Sequence, residues 1–176
     1  MERLDRSLPT ANPRVSGRDR DRMLYSPEER LRRDESPWTV VQGILAPLQF
    51  LIFLVSLALV FRYFSTGAGA LAADISIIAK TLALYAIMVT GSIWEKQVFG
   101  KWLFARPFFW EDVFSMVVIA LHTAYLVMLV GGIGTLDQRL FVALAAYATY
   151  VVNAGQFLLK LRAARLEMPA RTAVAG

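Results

Sequence analysis

The fold is decided by a stretch at residues 108–130, which reads FFWEDVFSMVVIALHTAYLVMLV. A helix that crosses the ~30 Å hydrocarbon core of a bilayer needs ~20 mostly apolar residues. This stretch reaches that length, and its apolar residues cover nearly all faces of a helix instead of one stripe. It therefore predicts a transmembrane helix.

Three further stretches have the same character, at about residues 38–61, 75–94 and 140–159. The connections at 65–69 and 131–134 are short, so neighbouring helices must run antiparallel. We therefore predict an all-α, polytopic membrane protein, an up-down bundle of four transmembrane helices. A soluble bundle is excluded because these spans would expose large apolar patches to water.

The remaining sequence predicts two flanking segments. Residues 1–36 are charged and contain no apolar run, which indicates a largely disordered cytoplasmic N-terminal arm before the transmembrane domain at 37–162. Within the arm, Ser26, Pro27 and Glu29 form the pattern of a helix start and predict a short interfacial helix. Residues 163–176 are predicted to be a cytoplasmic C-terminal tail.

The basic residues predict the orientation. Sixteen Lys and Arg fall in the arm, in the loop between the second and third spans, and in the C-terminal segment from residue 160 onward, against two (Arg62 and Arg139) on the other side. Cytoplasmic loops carry such an excess, so both termini are predicted to be cytoplasmic. Lys80 lies within the second span, and we expect it to snorkel outward toward the opposite leaflet.

Composition excludes several kinds of site. The chain has no cysteine and a single histidine, His122, so disulfides, thiolate metal sites and a multi-histidine cage are ruled out. The net charge of +5 resides mainly in the tails and one loop, which suits an anionic membrane surface. Without a folded basic module, no nucleic-acid partner is expected.

Polar residues within the spans follow helical spacing and should face the bundle interior, since hydrocarbon penalises them. The predicted orientation places six of them in the cytoplasmic half and predicts one pocket open to the cytoplasm: Gln42, Glu95, Glu111, Asp112, Asn153 and Gln156. Gln49, Ser115 and His122 share these faces, the first and last nearer mid-depth.

Simpler interpretations of these residues stay open. Glu95, Glu111 and Asp112 can be interfacial charges that pair with nearby Lys or Arg. Gln49, Asn153 and His122 can hydrogen-bond neighbouring helices and hold the bundle together. The residues alone therefore indicate a polar-lined membrane bundle without naming its function.

Three segments resemble the 2-vinyl (3-vinyl) bacteriochlorophyllide hydratase family. They are SPWTVVQGILAPLQF at 36–50, MVTGSIWEKQVFGKWLF at 88–104, and FFWEDVFSMVVIALHTAY at 108–125. The similarity extends over roughly residues 23–160 in conserved order and spacing. It implies an enzyme of the inner membrane of a photosynthetic bacterium that adds water to the vinyl group of a chlorophyllide-type tetrapyrrole.

This resemblance gives the polar residues chemical roles. Hydration of a vinyl group needs an acid for the terminal carbon and a base for water, and Glu95 and Glu111 are the predicted pair. His122 is predicted to orient a carboxyl group or to ligate the substrate's magnesium. The predicted substrate-binding residues are Gln42, Gln49, Asp112, Ser115, Asn153 and Gln156. No cofactor and no metal of the protein's own are expected.

Two other functions compete with hydration. A non-catalytic pigment-binding or assembly factor would use the same apolar bundle, with His122 as axial ligand. A small transporter would use Glu95, Glu111 and Asp112 on an ion path, but the sequence has no visible inverted repeat. Other pigment-synthesis enzymes are candidate partners.

Overall fold

The computed structural model describes residues 24–166, with side chains to residue 162. Its helices are α1 (Pro27–Glu35), α2 (Pro37–Thr66), α3 (Ala70–Phe99), α4 (Phe109–Val130) and α5 (Leu136–Leu166), with a 3-10 turn at Arg106–Phe108 before α4. Residues 1–23 of the predicted arm (1–36) and residues 167–176 of the predicted tail (163–176) lie outside the described residues.

The four long helices confirm the predicted membrane architecture. Each is long and apolar enough to cross a bilayer, and only 22–28% of each apolar window is buried inside the bundle. The other apolar side chains face outward, which suits lipid and not water. The helices run a few residues past the apolar stretches, and α2 and α3, of 30 residues each, are about 45 Å long.

Glycine residues terminate both α2 and α3. Gly67 follows α2 with a φ of 69°, and Gly100 follows α3 with a φ of 77°. Side chains with a Cβ rarely adopt this left-handed conformation, so glycine is the residue that terminates a helix there. The Gly100 N–H donates to the carbonyl of Lys96 at 3.1 Å, and the chain then turns into the loop at 100–105.

The bundle consists of two hairpins. α2 packs chiefly on α3 and α4 chiefly on α5, while the two hairpins touch each other less extensively, through α3–α4 and α2–α5. A central core joins all four helices; it includes Phe53, Ile77, Val118 and Tyr147.

A second, smaller cluster lies at the end of the bundle that carries the 100–105 loop, hereafter the middle-loop end. Here Tyr25, just before α1, is buried with Val98 and Phe108, and its ring stacks on Phe99 at 5.7 Å between centroids. α1 itself begins with a capping box, since Ser26 and Glu29 each accept a hydrogen bond from the other's backbone N–H. The predicted interfacial location of α1 stays a prediction.

Candidate active site

Three carboxyl groups come together at the middle-loop end. Glu95 lies in the last turns of α3, and Glu111 and Asp112 lie in the first turn of α4. The loop and the 3-10 turn carry the chain directly from one helix end to the other. All three side chains are buried, with exposed fractions of 5%, 6% and 4%. They therefore point into the protein. Interfacial charges would instead point toward water.

The backbone of the loop binds two of these carboxyl groups. The Phe104 N–H donates to Asp112 Oδ2 at 2.6 Å, and the next N–H, of Ala105, donates to Glu95 Oε2 at 3.1 Å. Phe104 has a φ of 59°, so the two successive N–H groups form a concave anion-binding turn. A non-glycine residue in this conformation costs about 1–3 kcal/mol, which the hydrogen bonds to the carboxyl groups offset.

Glu95 and Asp112 are also hydrogen-bonded to each other. Carboxylates only accept hydrogen bonds, so a bond between two carboxyl groups requires a proton on one of them. A pair bonded in this way would hold one proton and one negative charge, and the backbone N–H groups of Phe104 and Ala105 are placed to stabilise that charge.

Glu111 has a different partner. Its Oε1 lies 2.6 Å from Lys160 Nζ of α5, and the same ammonium donates to the carbonyl of Pro107. As the partner of a lysine, Glu111 is the carboxylate of the group. Its second oxygen, Oε2, is buried and accepts no hydrogen bond within residues 24–166. One oxygen is thus fixed by an ion pair, and the other is available to accept a proton.

Two amides of α5 add further acceptors beside Glu111. Asn153 Nδ2 donates to Ser115 Oγ on α4 at 2.8 Å, which leaves its Oδ1 buried and without a donor in the described part of the chain. Gln156 Oε1 is likewise buried and receives no hydrogen bond within the described residues. Asn153, Gln156 and Lys160 follow one another at steps of three and four along one face of α5. Glu111 Oε2, Asn153 Oδ1 and Gln156 Oε1 are thus three buried acceptor oxygens that receive no hydrogen bond within residues 24–166.

The two glutamines of α2 lie apart from this group. Gln42 Nε2 donates to Thr90 Oγ1 at 2.7 Å, and its amide packs against Gly91, so it joins α2 to α3. Gln49 is buried on the α2 face that also carries Phe53 and Ser56.

His122 lies eleven residues after Glu111 on α4, about 16 Å along the helix axis. It is fully buried, and its Nδ1 contacts the carbonyl of Val118 in its own helix at 2.8 Å. Its Nε2 has no hydrogen-bond partner within residues 24–166. The structure thus brings Glu95, Glu111 and Asp112 together and places His122 elsewhere. In the described chain, no three His, Asp or Glu side chains converge as a metal site.

The expectation that Lys80 snorkels outward is wrong. Its side chain is 0% exposed, and its ammonium lies in the bundle interior, 3.7 Å from the centre of the Tyr150 ring. Hydropathy shows that a lysine lies within a span, but it does not show whether its side chain faces lipid or the bundle interior. In this structure Lys80 faces the interior, toward α5. The pairing of Lys160 with Glu111 was not predicted from the sequence.

This geometry defines a class of protein: a polytopic helical membrane protein with a buried cluster of carboxyl groups at one end of its bundle. The comparisons with known proteins agree with that class and narrow it. A family model described as 2-vinyl bacteriochlorophyllide hydratase matches residues 25–163, and the chain belongs to this family.

Two curated relatives carry the same description. A 2-vinyl bacteriochlorophyllide hydratase of Rhodobacter capsulatus is 67% identical over 144 residues, which cover 82% of this chain and 84% of that protein. One of Cereibacter sphaeroides is 64% identical over 149 residues, covering 85% and 92%. No solved structure matches the chain significantly.

Proposed function

We propose that this protein adds water to the vinyl group of a bacteriochlorophyllide-type substrate and so forms a 1-hydroxyethyl group. The chain is a hydratase of bacteriochlorophyll synthesis by its family and by relatives that are 64–67% identical. The structural observation that carries the mechanism is the cluster of three buried carboxyl groups. Glu95 and Asp112 form a pair to which we assign one shared proton, and Glu111 is held by Lys160 through one oxygen while its Oε2 accepts no hydrogen bond within residues 24–166.

The reaction sets the requirements for the site. A proton is delivered to the terminal carbon of the vinyl group, and the π electrons form the new C–H bond. Positive charge then develops at the inner carbon, where the conjugated macrocycle delocalises it. Water attacks that carbon and loses a proton to a base. The reaction is redox-neutral, so its chemistry requires no redox cofactor, and magnesium is carried by the substrate.

The Glu95–Asp112 pair is the proposed acid. It holds one proton, and after donation both carboxyl groups are charged, a state that the Phe104 and Ala105 N–H groups stabilise by one hydrogen bond each. The resulting negative charge lies close to the developing cation and lowers its energy.

Glu111 is the proposed base. Its Oε2 accepts a proton from the attacking water, while the carbonyl oxygens of Asn153 and Gln156 orient the second hydrogen. Lys160 holds Glu111 in place through the other oxygen, at 2.6 Å. Glu111 interacts electrostatically with both Glu95 and Asp112, and we propose that the proton that Glu111 takes returns to this pair through water and completes the cycle.

His122 and Gln49 lie farther from the three carboxyl groups, and we keep their proposed roles in binding the substrate. The Nε2 of His122 is suited by its chemistry to ligate the substrate's magnesium, and Gln49 faces the same interior. We place the middle-loop end in the cytoplasm of a photosynthetic bacterium, with the bundle in the inner membrane, on the basis of the basic residues in the arm, the loop and the tail.

Replacement of each carboxyl group tests this assignment. Membranes that contain Glu95→Gln, Glu111→Gln or Asp112→Asn are supplied with the vinyl substrate, and the gain of one water is followed by mass and absorbance. Loss of a positioned acid or base should lower turnover by ~10²–10⁴-fold in each variant. Glu28→Gln, at an exposed carboxylate of α1, is the matched control and should retain turnover. Near-normal turnover in all three variants would remove these residues from the chemistry.

A further inference from the structure

Lys80 is a basic residue inside the bundle that the hydration mechanism does not use. It lies ten residues from the first residue of α3, about 15 Å along the helix, and its side chain is fully buried. Its Nζ has no hydrogen-bond partner within residues 24–166. An ionisable residue that faces the interior of a membrane bundle is expensive and marks a site for a ligand or an ion.

Within residues 24–166, no carboxylate pairs with Lys80. Its ammonium rests on the Tyr150 ring and is close enough to act electrostatically on the His122 imidazole, which is not acidic. The acidic residues toward that end of the bundle have other partners: Asp74 accepts from the Tyr125 hydroxyl at 2.6 Å, and Asp137 from the Tyr63 hydroxyl at 3.0 Å. A buried ammonium without a counter-charge is strongly unfavourable, so a negatively charged group of a ligand would be held firmly there.

Lys80 and the proposed acid–base site lie along one polar column. Lys160, Gln156, Asn153 and Tyr150 succeed one another on the same face of α5 at steps of four, three and three. Lys160, which binds Glu111, and Tyr150, which carries Lys80, are ten residues or about 15 Å apart on that helix. At one end of the column α5 contacts α4, through Lys160 and Glu111, and at the other end it contacts α3, through Tyr150 and Lys80.

A bacteriochlorophyllide has the matching pair of groups. It is a free acid, so it carries a propionate carboxylate on one ring of the macrocycle and the reacting vinyl group on another. We propose that Lys80 binds the propionate carboxylate of the substrate and thereby directs the vinyl group to the carboxyl groups at the middle-loop end. The proposal rests on the proposed function for the identity of the ligand. It makes Lys80 a binding residue that selects the free acid over an ester.

Binding of a free acid and of its ester tests this role without any need for turnover. The protein in lipid nanodiscs is titrated with chlorophyllide that bears a vinyl group and with the propionate methyl ester of the same pigment, and binding is followed by pigment absorbance and fluorescence. A hydrogen bond to a charged group corresponds to roughly a 10- to 100-fold difference in affinity. The wild type should therefore bind the acid more tightly by that factor.

Variants of Lys80 separate the charge from its packing. Lys80→Met should bind the acid and the ester equally, with the affinity of the wild type for the ester, and Lys80→Arg should keep part of the preference. Lys101→Met, at an exposed lysine of the loop, is the control and should keep the full preference. Binding of the ester by Lys80→Met reports that the variant is folded.

Equal binding of acid and ester by the wild type would overturn the proposal and would make Lys80 a structural cation that only packs on Tyr150. A preserved preference in Lys80→Met would also overturn it. Failure of the hydratase mechanism has a different signature: discrimination between acid and ester would persist while the carboxyl variants kept their turnover.

Discussion

The ion pair between Lys160 and Glu111 can be tested by a double-mutant cycle. Lys160→Met removes the partner of a carboxylate whose side chain is only 7% exposed and whose second oxygen has no donor in the described chain. Removing one partner of a buried ion pair costs ~3–5 kcal/mol. Because the Lys160 side chain is 22% exposed, solvent weakens the pair, and we expect a loss of about 2–4 kcal/mol in the free energy of unfolding.

The second half of the cycle is Glu111→Gln. It leaves the Lys160 ammonium near water and bonded to the carbonyl of Pro107, so it should cost less, about 1–2 kcal/mol. The double variant no longer contains a stranded carboxylate. It should therefore be more stable than the sum of the single effects indicates, with a coupling energy of at least about 1 kcal/mol.

The cycle is measured by denaturant unfolding of the detergent-purified protein, followed by circular dichroism, with Lys101→Met as the control for loss of an exposed lysine. Single effects that add to within about 0.5 kcal/mol would refute the ion pair as a source of stability. They would also remove the reason for treating Glu111 as the held carboxylate of the site.

The docking of the N-terminal segment and the course of the proton can each be tested by one experiment. Tyr25→Ala removes a buried ring from the cluster with Phe99 and Phe108, a local loss of about 3–5 kcal/mol, and should make trypsin cut faster within α1. Leu31→Ala, at an exposed position of α1, is the control and should not change the cleavage rate. Equal cleavage rates in the two variants would contradict this docking. Hydration in heavy water should place one non-exchangeable deuterium on the former terminal vinyl carbon, detected by mass spectrometry and NMR, and deuterium on the inner carbon would contradict the proposed order of steps.

Much of the fold could be predicted because it depends on simple properties of the sequence. The lengths of the four apolar stretches determine which helices cross the bilayer, and short loops determine that neighbours are antiparallel. Ser26 and Glu29 are a local signal, since a capping box involves only residues within one helical turn. These features do not depend on how the helices rotate against one another.

The arrangement of the site depends on that rotation, and less of it could be predicted. Glu95, Glu111 and Asp112 were expected in one pocket from their depth, but the hydrogen bond between Glu95 and Asp112 needs the two helix ends to meet at the loop. The partnership of Glu111 with Lys160 joins residues 49 positions apart. Lys80 shows the same limit, because its inward orientation follows from how α3 faces α5.

The described N-terminal segment shows another limit. Ser26, Pro27 and Glu29 predict a short helix there, but nothing in the sequence predicts that Tyr25 is buried against residues of α3 and the 3-10 turn. A single aromatic side chain in a polar segment is a weak signal in a hydropathy profile. It becomes informative only when the apolar surface that receives it is known.

The groups that bind Glu95 and Asp112 include two main-chain N–H groups, those of Phe104 and Ala105. Their position depends on how many residues connect α3 to α4 and on the left-handed turn at Phe104. A one-residue insertion or deletion there would keep every carboxyl group in the chain and still disconnect the acid from its donors. Relatives with altered activity should therefore be compared by the spacing of this connection as well as by residue identity.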